Sequence, residues 1–143
     1  MWSIKTLNEL NTKEWHRIVK ERIKVFVVEQ TSAYQEVDDY DLEAVHFFKR
    51  DSGQLKAYAR LFEKDGKLTF GRVLVPKEGR GEGNGRELLE TILTYTRKHY
   101  PDWEIEIQAE AYLKDFYASF GFKIISDKYL DYDIEHYDMA MRI

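Results

Sequence analysis

The sequence predicts a mixed α+β fold, and three observations support this assignment. Strand-like apolar runs and a hairpin turn occupy much of the first half of the chain. A β-branched run, a glycine-rich loop and an amphipathic helical pattern follow one another at the centre, and strand and helix patterns then alternate to the end. No repeat, low-complexity tract or linker divides the 143 residues, so residues 1–143 are expected to form one domain.

The first half is predicted to contain one helix and four strands. Asn11 and Glu14 form the capping-box pattern that begins a helix, and apolar residues recur at helical spacing as far as Phe26. Asp65-Gly66 is typical of a tight hairpin turn. The polar, acidic segment 29–43 is predicted to be a loop or short helix, and the strands are expected at residues 3–7, 45–49, 55–62 and 68–75.

The second half is predicted to alternate between helices and strands. A helix follows the glycine loop and runs to about His99, because Pro101 cannot continue it. A second helix covers residues 111–120, and Gly121 is its C-terminal stop. Strands are expected at residues 104–109, 123–126 and 137–142.

Composition excludes several classes of function. The formal net charge of −4 argues against non-specific binding of DNA or RNA. The chain has no cysteine, so a disulfide, a thiolate metal site and a cysteinyl intermediate are all excluded, and no metal is expected. No long apolar run indicates a signal peptide or a membrane span. A cytoplasmic protein with neither a nucleic-acid nor a membrane partner is therefore expected.

The most informative segment joins the predicted strand 68–75 to the helix that follows. Glycines stand at positions 79, 81, 83 and 85 of this loop. Glycine allows backbone N–H groups to face a ligand closely, and the first turn of a helix has unpaired N–H donors and a partial positive charge. Such a loop predicts an anion site, most often for phosphate. The GxxxxGK[ST] motif is absent, and GxGxxG fails because its last glycine would fall on Arg86.

The pattern that does fit is Arg80-x-x-Gly83-x-Gly85. It resembles the Q/R-x-x-G-x-G/A motif with which the GNAT acetyltransferase superfamily binds the pyrophosphate of acetyl-coenzyme A. Residues 116–122, Phe-Tyr-Ala-Ser-Phe-Gly-Phe, resemble the Y-x-x-x-G-F that closes a later helix in that superfamily. The stretch from Val25 to His46 resembles the N-terminal signature of the ElaA-like branch. The resemblance covers roughly residue 18 to the end and implies a GNAT-like twisted mixed sheet of six or seven strands with helices on both faces.

The resemblance implies direct transfer of an acetyl group from acetyl-coenzyme A to a primary amine of a small molecule or peptide, in a ternary complex. A non-catalytic sensor that binds coenzyme A on the same fold is the alternative. Ser32-Ala33 stand where the branch carries Cys-Pro, and Glu110 stands where the wider family commonly has an amide, so the alternative stays open. A homodimer is compatible with the resemblance.

The resemblance also assigns the binding of the co-substrate. The pantetheine arm would pair with the strand backbone, the loop would hold the pyrophosphate, and a backbone N–H freed where two parallel strands splay apart would stabilise the oxyanion. Solvated surface charge is an equally good interpretation of each loop arginine. The expected cofactor-binding residues are Val73, Val75, Arg80, Gly81, Gly83, Asn84, Gly85 and Arg86.

Tyr117 is the predicted proton donor to the coenzyme A thiolate, since a pKa near 10 is of the same order as that of an alkyl thiol. Its helical spacing with Leu113 and Phe120 also fits a core residue.

The general base is less well defined. The acidic run 36–43 is either a solvated loop or a cluster in which like-charge repulsion raises one carboxyl pKa. His46 lies in an apolar strand, where a core histidine is the ordinary expectation, but it belongs to the branch signature. Glu36, Asp38 and His46 are the preferred candidates, and the alternatives are water and Glu29, Asp41 and His136.

Overall fold

The structure is a computed structural model that describes residues 1–143, and a single eight-stranded sheet runs through it. The strand order is β1-β2-β3-β4-β5-β8-β6, and β7 pairs with β8. Neighbouring strands are antiparallel except β4 and β5, which are parallel. The strands are β1 (Trp2–Thr6), β2 (Val45–Asp51), β3 (Gln54–Lys64), β4 (Lys67–Leu74), β5 (Glu104–Glu110), β6 (Lys123–Ile124), β7 (Tyr129–Asp131) and β8 (Ile134–Arg142).

Four α-helical segments accompany the sheet: α1 (Thr12–Ile23), α2 (Tyr40–Glu43), α3 (Asn84–His99) and α4 (Lys114–Ala118). The capping box predicted for α1 is present, because the side chains of Asn11 and Glu14 each accept the other's backbone N–H. The helix continues as a π-helical segment, Lys24–Glu29. The helix predicted at 111–120 is shorter than expected, since its first turn is the 3₁₀ segment Ala111–Leu113.

The sheet has one strand more than predicted. The additional strand, β7, contains three residues and no alternation long enough to reveal it. A tight turn at Tyr132 and Asp133 joins it to β8, and both residues have positive φ angles, 48° and 65°. Two-residue hairpin turns need this backbone, but Asn or Gly usually supplies it. The missing turn residues explain why the sequence did not indicate a hairpin here.

Helices pack on both faces of the sheet, as predicted. The larger core lies between the sheet and the pair α3 and α4, and it includes Leu88, Ile92, Ile105 and Met139. The smaller core lies between α1 and strands β2–β4 and contains six buried residues, Ile18, Val25, Phe48, Leu55, Tyr58 and Leu74.

The parallel strands β4 and β5 separate along their length. They are in register at a single pair, Leu68 and Ile105, and then diverge toward their C-terminal ends. On its other side, β4 contains a bulge against β3, where the register passes from Arg60–Gly71 to Tyr58–Leu74. Arg72, inside this bulge, has a φ angle of 51°. The splayed strands confirm the expected opening in the middle of the sheet.

Candidate active site

A cleft of about 740 Å³ opens where β4 and β5 part. Its walls come from the two strands, from Tyr117 on α4, from the segment after α1, and from β7 and β8. No helix of the chain is both long and apolar enough to cross a membrane, and no group of three or more His, Asp or Glu side chains is placed to hold a metal. Three of the preferred site residues line the cleft, Val73, Asp38 and Tyr117, and so does one alternative base, His136.

The backbone of β4 is irregular at the cleft. Because of the bulge, Arg72 and Val73 together face the single residue Ala59 of β3, and neither has a registered partner there. The antiparallel ladder is therefore interrupted beside the point where β5 turns away. This is the place at which a backbone N–H for oxyanion stabilisation was predicted.

The glycine loop leads directly into α3, as predicted. Gly83 is the N-cap residue with a φ angle of 81°, and Gly81 has a φ angle of 87°. The first helical hydrogen bond runs from the Glu87 N–H to the Gly83 carbonyl, 3.1 Å. The N–H groups of residues 84–86 consequently have no partner within the helix and point out of its N-terminus. They form a potential anion site on a helix of 16 residues.

The side chains of Asn84 and Arg80 bind the loop itself. The buried Asn84 amide donates to the Gly79 carbonyl, 3.2 Å, and accepts from Lys49 Nζ, 3.3 Å. Arg80 Nε donates to the Val75 carbonyl, 2.8 Å. Both side chains therefore shape the loop, and neither needs a ligand to explain its position.

The second loop arginine, Arg86, packs on aromatic rings. Its guanidinium carbon lies 4.8 Å from the centroid of Phe120 and 5.9 Å from that of Phe116, and Nη2 donates to Ser119 Oγ, 3.3 Å. The residue therefore joins the start of α3 to α4, the helix that carries Tyr117.

Tyr117 is buried, and its ring packs against Phe70 and Phe122, with centroids 6.2 and 6.1 Å away. Its hydroxyl makes no hydrogen bond within the protein, and the residue lines the cleft. Burial raises the pKa of Tyr117, and the Glu110 carboxylate raises it further. The premise of a pKa near 10 is therefore wrong for the protein without its substrates: the phenol is protonated at neutral pH and releases its proton less readily than expected.

Three carboxylates of the acidic segment 36–43 belong to an ionic cluster, and the prediction of a solvated loop is wrong for Glu36 and Asp41. Glu36 and Asp41 are each 2% exposed. Arg22, which is fully buried, lies 2.8 Å from Glu36 through Nε and 2.8 Å from Asp41 through Nη1.

Two further arginines complete this cluster. Arg60 binds Asp38 with both terminal nitrogens, at 2.5 and 2.9 Å, and also binds Asp41, 2.9 Å. Arg72, at the β4 bulge, lies 2.9 Å from the Glu36 carboxylate. The arginine–carboxylate network therefore consists of Arg22, Glu36, Asp38, Asp41, Arg60 and Arg72.

Pairing in the network lowers the pKa values of Asp38 and Asp41. Burial by itself would raise the pKa of Asp38 and of Asp41, but hydrogen bonds and charge from the arginines outweigh it and hold both pKa values below their usual range. The prediction that repulsion raises a carboxyl pKa here is therefore wrong. Glu36 does not line the cleft, and Asp38 lines it only as a carboxylate already bound by Arg60. Neither is placed or charged as an available base.

His46 also lies away from the cleft and is fully buried. Its Nε2 is 3.1 Å from the Asp41 carbonyl oxygen, which can only accept, so Nε2 carries the proton. Nδ1 then accepts the Tyr58 hydroxyl, 2.6 Å. Burial lowers the pKa of His46. Both nitrogens are engaged inside the protein, so the prediction that His46 is a base is corrected to a structural role.

Two residues outside the preferred set do meet in the cleft. Glu110 on β5 and His136 on β8 are in register across the antiparallel pair, and both line the cleft. Gln30 Nε2 donates to Glu110 Oε1, 2.8 Å. The alternation of β5, with buried Ile105, Ile107 and Ala109, already indicated one polar face that includes Glu110. Glu29, another alternative base, is instead paired with Arg80 at 3.5 Å.

Comparison with known proteins decides the family. A family model described as an acetyltransferase (GNAT) domain matches residues 14–143. The chain belongs to the GNAT acetyltransferase family. Protein ElaA of Escherichia coli K12 is 35% identical over 141 residues, which cover 95% of this chain and 92% of ElaA. The UPF0039 protein sll0451 of Synechocystis is 38% identical over 146 residues, with coverage of 99% and 95%. The predicted resemblance to the ElaA-like branch of GNAT proteins is confirmed.

Solved GNAT structures share the whole fold. The crystal structure of Escherichia coli ElaA has a TM-score of 0.93 at 34% identity, and the match covers 98% of both chains. An acyl-CoA N-acyltransferase from Pseudomonas aeruginosa also has a TM-score of 0.93, at 35% identity, with 98% of this chain and 97% of that chain covered. The predicted GNAT-like architecture is therefore confirmed, with eight strands in place of six or seven.

Proposed function

We propose that residues 1–143 act as one acyl-CoA-dependent N-acetyltransferase domain, which moves an acetyl group from acetyl-coenzyme A directly to a primary amine of a small molecule or peptide. One observation carries this proposal. The parted ends of β4 and β5 open a cleft lined by Tyr117, whose hydroxyl makes no hydrogen bond within the protein, and the glycine loop follows β4 into the N-terminus of α3.

The end of β4, the glycine loop and the start of α3 would hold acetyl-coenzyme A through its pantetheine arm and its pyrophosphate. The free N–H groups of residues 84–86 suit the pyrophosphate, with Gly81 and Gly83 giving close access. The backbone of Val73 and Val75 suits the pantetheine arm. The Arg80 bond to the Val75 carbonyl leaves that oxygen a second lone pair, so it does not exclude a further partner.

Two groups would serve the chemistry on the thioester. A backbone N–H at the β4 bulge would stabilise the oxyanion that forms when the amine attacks. Such a donor typically lowers the activation free energy by about 3–4 kcal/mol. Tyr117 would protonate the departing sulfur. Its raised pKa makes this transfer less favourable in the empty cleft, and a thiolate beside the phenol would provide a strong proton acceptor.

Ligand binding and turnover test the proposal together. Saturating acetyl-coenzyme A should raise the thermal midpoint, because it binds the native state. At one hundred times its Kd, the ligand should increase the free energy of unfolding by about 2.7 kcal/mol. Release of free thiol should then follow when a panel of primary amines is added. Binding without thiol release from any amine would favour the non-catalytic coenzyme A sensor. No thermal shift at all would contradict the cofactor assignment.

Two glycine variants make this test specific to the loop. Gly83→Val and Gly53→Val change residues with φ angles of 81° and 78°, and a Cβ at either position meets no protein atom within 4 Å. The backbone penalty is therefore matched, at about 1–2 kcal/mol or more for each. Gly83→Val should abolish the shift caused by acetyl-coenzyme A, whereas Gly53→Val, in the β2–β3 turn, should retain it. An equal shift in both would place the phosphates elsewhere.

A further inference from the structure

The acceptor amine must lose a proton during acetyl transfer, and the proposed function so far assigns no residue to receive it. The carboxylates of the arginine–carboxylate network are already paired, Glu29 is paired with Arg80, and His46 has both ring nitrogens bonded. A base requires a free lone pair that faces the cleft. His136 meets this requirement.

The tautomer of His136 is determined by its own strand. Nδ1 lies 2.7 Å from the Ile134 carbonyl oxygen, and because a carbonyl can only accept, Nδ1 must carry the proton. The neutral ring therefore has its lone pair on Nε2, which makes no hydrogen bond within the protein. The side chain is half-buried and lines the cleft. Its orientation is thus held from one nitrogen while the other is available to a substrate.

Neighbouring strands place other groups around the imidazole. Glu110 from β5 is in register with His136 on one side, and Tyr129 from β7 is in register on the other. The Tyr129 ring stacks on the imidazole with centroids 5.9 Å apart and an interplanar angle of 21°, and its hydroxyl donates to Asp138, 2.6 Å. Tyr112 lies in the 3₁₀ turn packed against β8. Glu110 and Tyr129 are therefore the titratable groups that neighbouring strands place opposite His136.

Glu110 has the position of a partner for a protonated imidazole. Directly opposed residues of an antiparallel pair point to the same face, with Cβ atoms about 5 Å apart. Gln30 holds one Glu110 oxygen at 2.8 Å, which leaves the second carboxylate oxygen for another donor. Glu110, His136 and the proposed proton donor Tyr117 all line the same cleft, and the Glu110 carboxylate raises the pKa of Tyr117.

We propose that His136 Nε2 accepts the proton of the acceptor amine and that Glu110 stabilises the resulting imidazolium. The neutral amine attacks the thioester carbonyl carbon, the C–N bond forms, and the surplus proton on nitrogen passes to Nε2. The C–S bond breaks and the sulfur takes the Tyr117 proton. One proton then returns from His136 to the Tyr117 phenolate through solvent, so that one amide and one thiol leave an unchanged protein.

The test is the pH profile of kcat/KM for thiol release, measured with a primary amine that the wild-type protein acetylates and whose own pKa lies below the pH range scanned, so that ionisation of the acceptor adds no acidic limb. The His136→Asn variant keeps an amide N–H for the Ile134 carbonyl but has no basic nitrogen. It should lose roughly 10²- to 10⁴-fold in kcat, together with the acidic limb of the profile. Its thermal shift with acetyl-coenzyme A should equal that of the wild type, which shows that the variant folds and binds the co-substrate.

Two further variants determine the interpretation. His16→Asn changes an exposed histidine on α1, outside the cleft, and should leave both rate and profile unchanged. Asp38→Asn should keep the acidic limb, because the Asp38 carboxylate is already bound by Arg60. An acidic limb that persists in His136→Asn, or that disappears in Asp38→Asn alone, would overturn the assignment while the proposed function stands. Failure of the wild type to acetylate any amine would overturn both.

Discussion

Two regions of this molecule use their titratable side chains in opposite ways. Under the segment after α1, His46 is surrounded by the arginine–carboxylate network, and its two nitrogens are bonded to Tyr58 and to the Asp41 carbonyl. On the β5–β8 wall of the cleft, His136 is bonded at one nitrogen, to the Ile134 carbonyl, and the other faces the cleft. In each histidine a backbone carbonyl selects the tautomer. What differs is whether the remaining nitrogen is used inside the fold.

This contrast shows that a high density of charge along the chain is a poor indicator of catalysis. The acidic run 36–43 is the most carboxylate-rich part of the sequence, and this density predicts a candidate general base there. In the structure three arginines bind Glu36, Asp38 and Asp41, and this pairing lowers the pKa values of Asp38 and Asp41. Glu110 and His136, which stand apart in sequence, retain the free oxygen and nitrogen that chemistry requires.

The largest effect should come from breaking the buried network. Arg22→Met keeps much of the side-chain volume but leaves Glu36 and Asp41 without their shared cation. Removing one partner of a buried ion pair costs about 3–5 kcal/mol when the remaining charge is uncompensated, and the lower end is expected here because Arg72 still binds Glu36 and Arg60 still binds Asp41. The urea unfolding midpoint should fall accordingly. Arg50→Met is the matched control, since its pair with Glu14 at 3.5 Å is exposed on the arginine side and should contribute about 0–1 kcal/mol. Equal midpoints for the two variants would show that the network does not stabilise the fold.

A second comparison separates stability from catalysis with two buried tyrosines. Tyr58→Phe removes a hydroxyl that bonds His46 and Arg22, and loss of buried partners should cost about 1–3 kcal/mol. Tyr117→Phe removes a hydroxyl with no partner in the protein, so its thermal midpoint should hardly change, while turnover should fall roughly 100-fold or more. Thermal melts and thiol-release assays on both variants provide the measurement. Normal turnover in Tyr117→Phe would reduce that residue to a packing role.

The smallest expected effect is the dependence of stability on pH through His46. Its pKa is lowered by burial, so between the unfolded value near 6.5 and the lower folded value the unfolded chain binds the proton and the folded chain does not. Stability is therefore complete above about pH 6.5 and decreases as the pH falls, by at most about 1.4 kcal/mol per pH unit. Urea midpoints between about pH 7 and pH 5 should show this slope in the wild type, and His46→Gln should reduce it. The same slope in both proteins would assign the effect to other groups.

Much of the fold was predictable from local sequence. Local sequence predicts the capping box of α1, the end of α3 at His99 and the glycine loop, because capping, helix termination and positive φ angles depend on a few consecutive residues. Seven strands were found from runs of apolar or alternating residues. The strand that was missed, β7, has three residues and is closed by a turn without glycine or asparagine, so its sequence contained too little periodicity.

The family follows from motifs spread along the sequence, and the loop that opens α3 and the place of Tyr117 near the end of a helix follow from residues close together in the chain. Which acidic residues are bound by arginines, and which histidine has a free nitrogen, depend on the tertiary structure. Glu110 and His136 meet because β8 pairs beside β5, and Arg22 reaches Asp41 because α1 packs over β3. Strand order and register between distant segments come from the packing of the whole core, which no local pattern specifies.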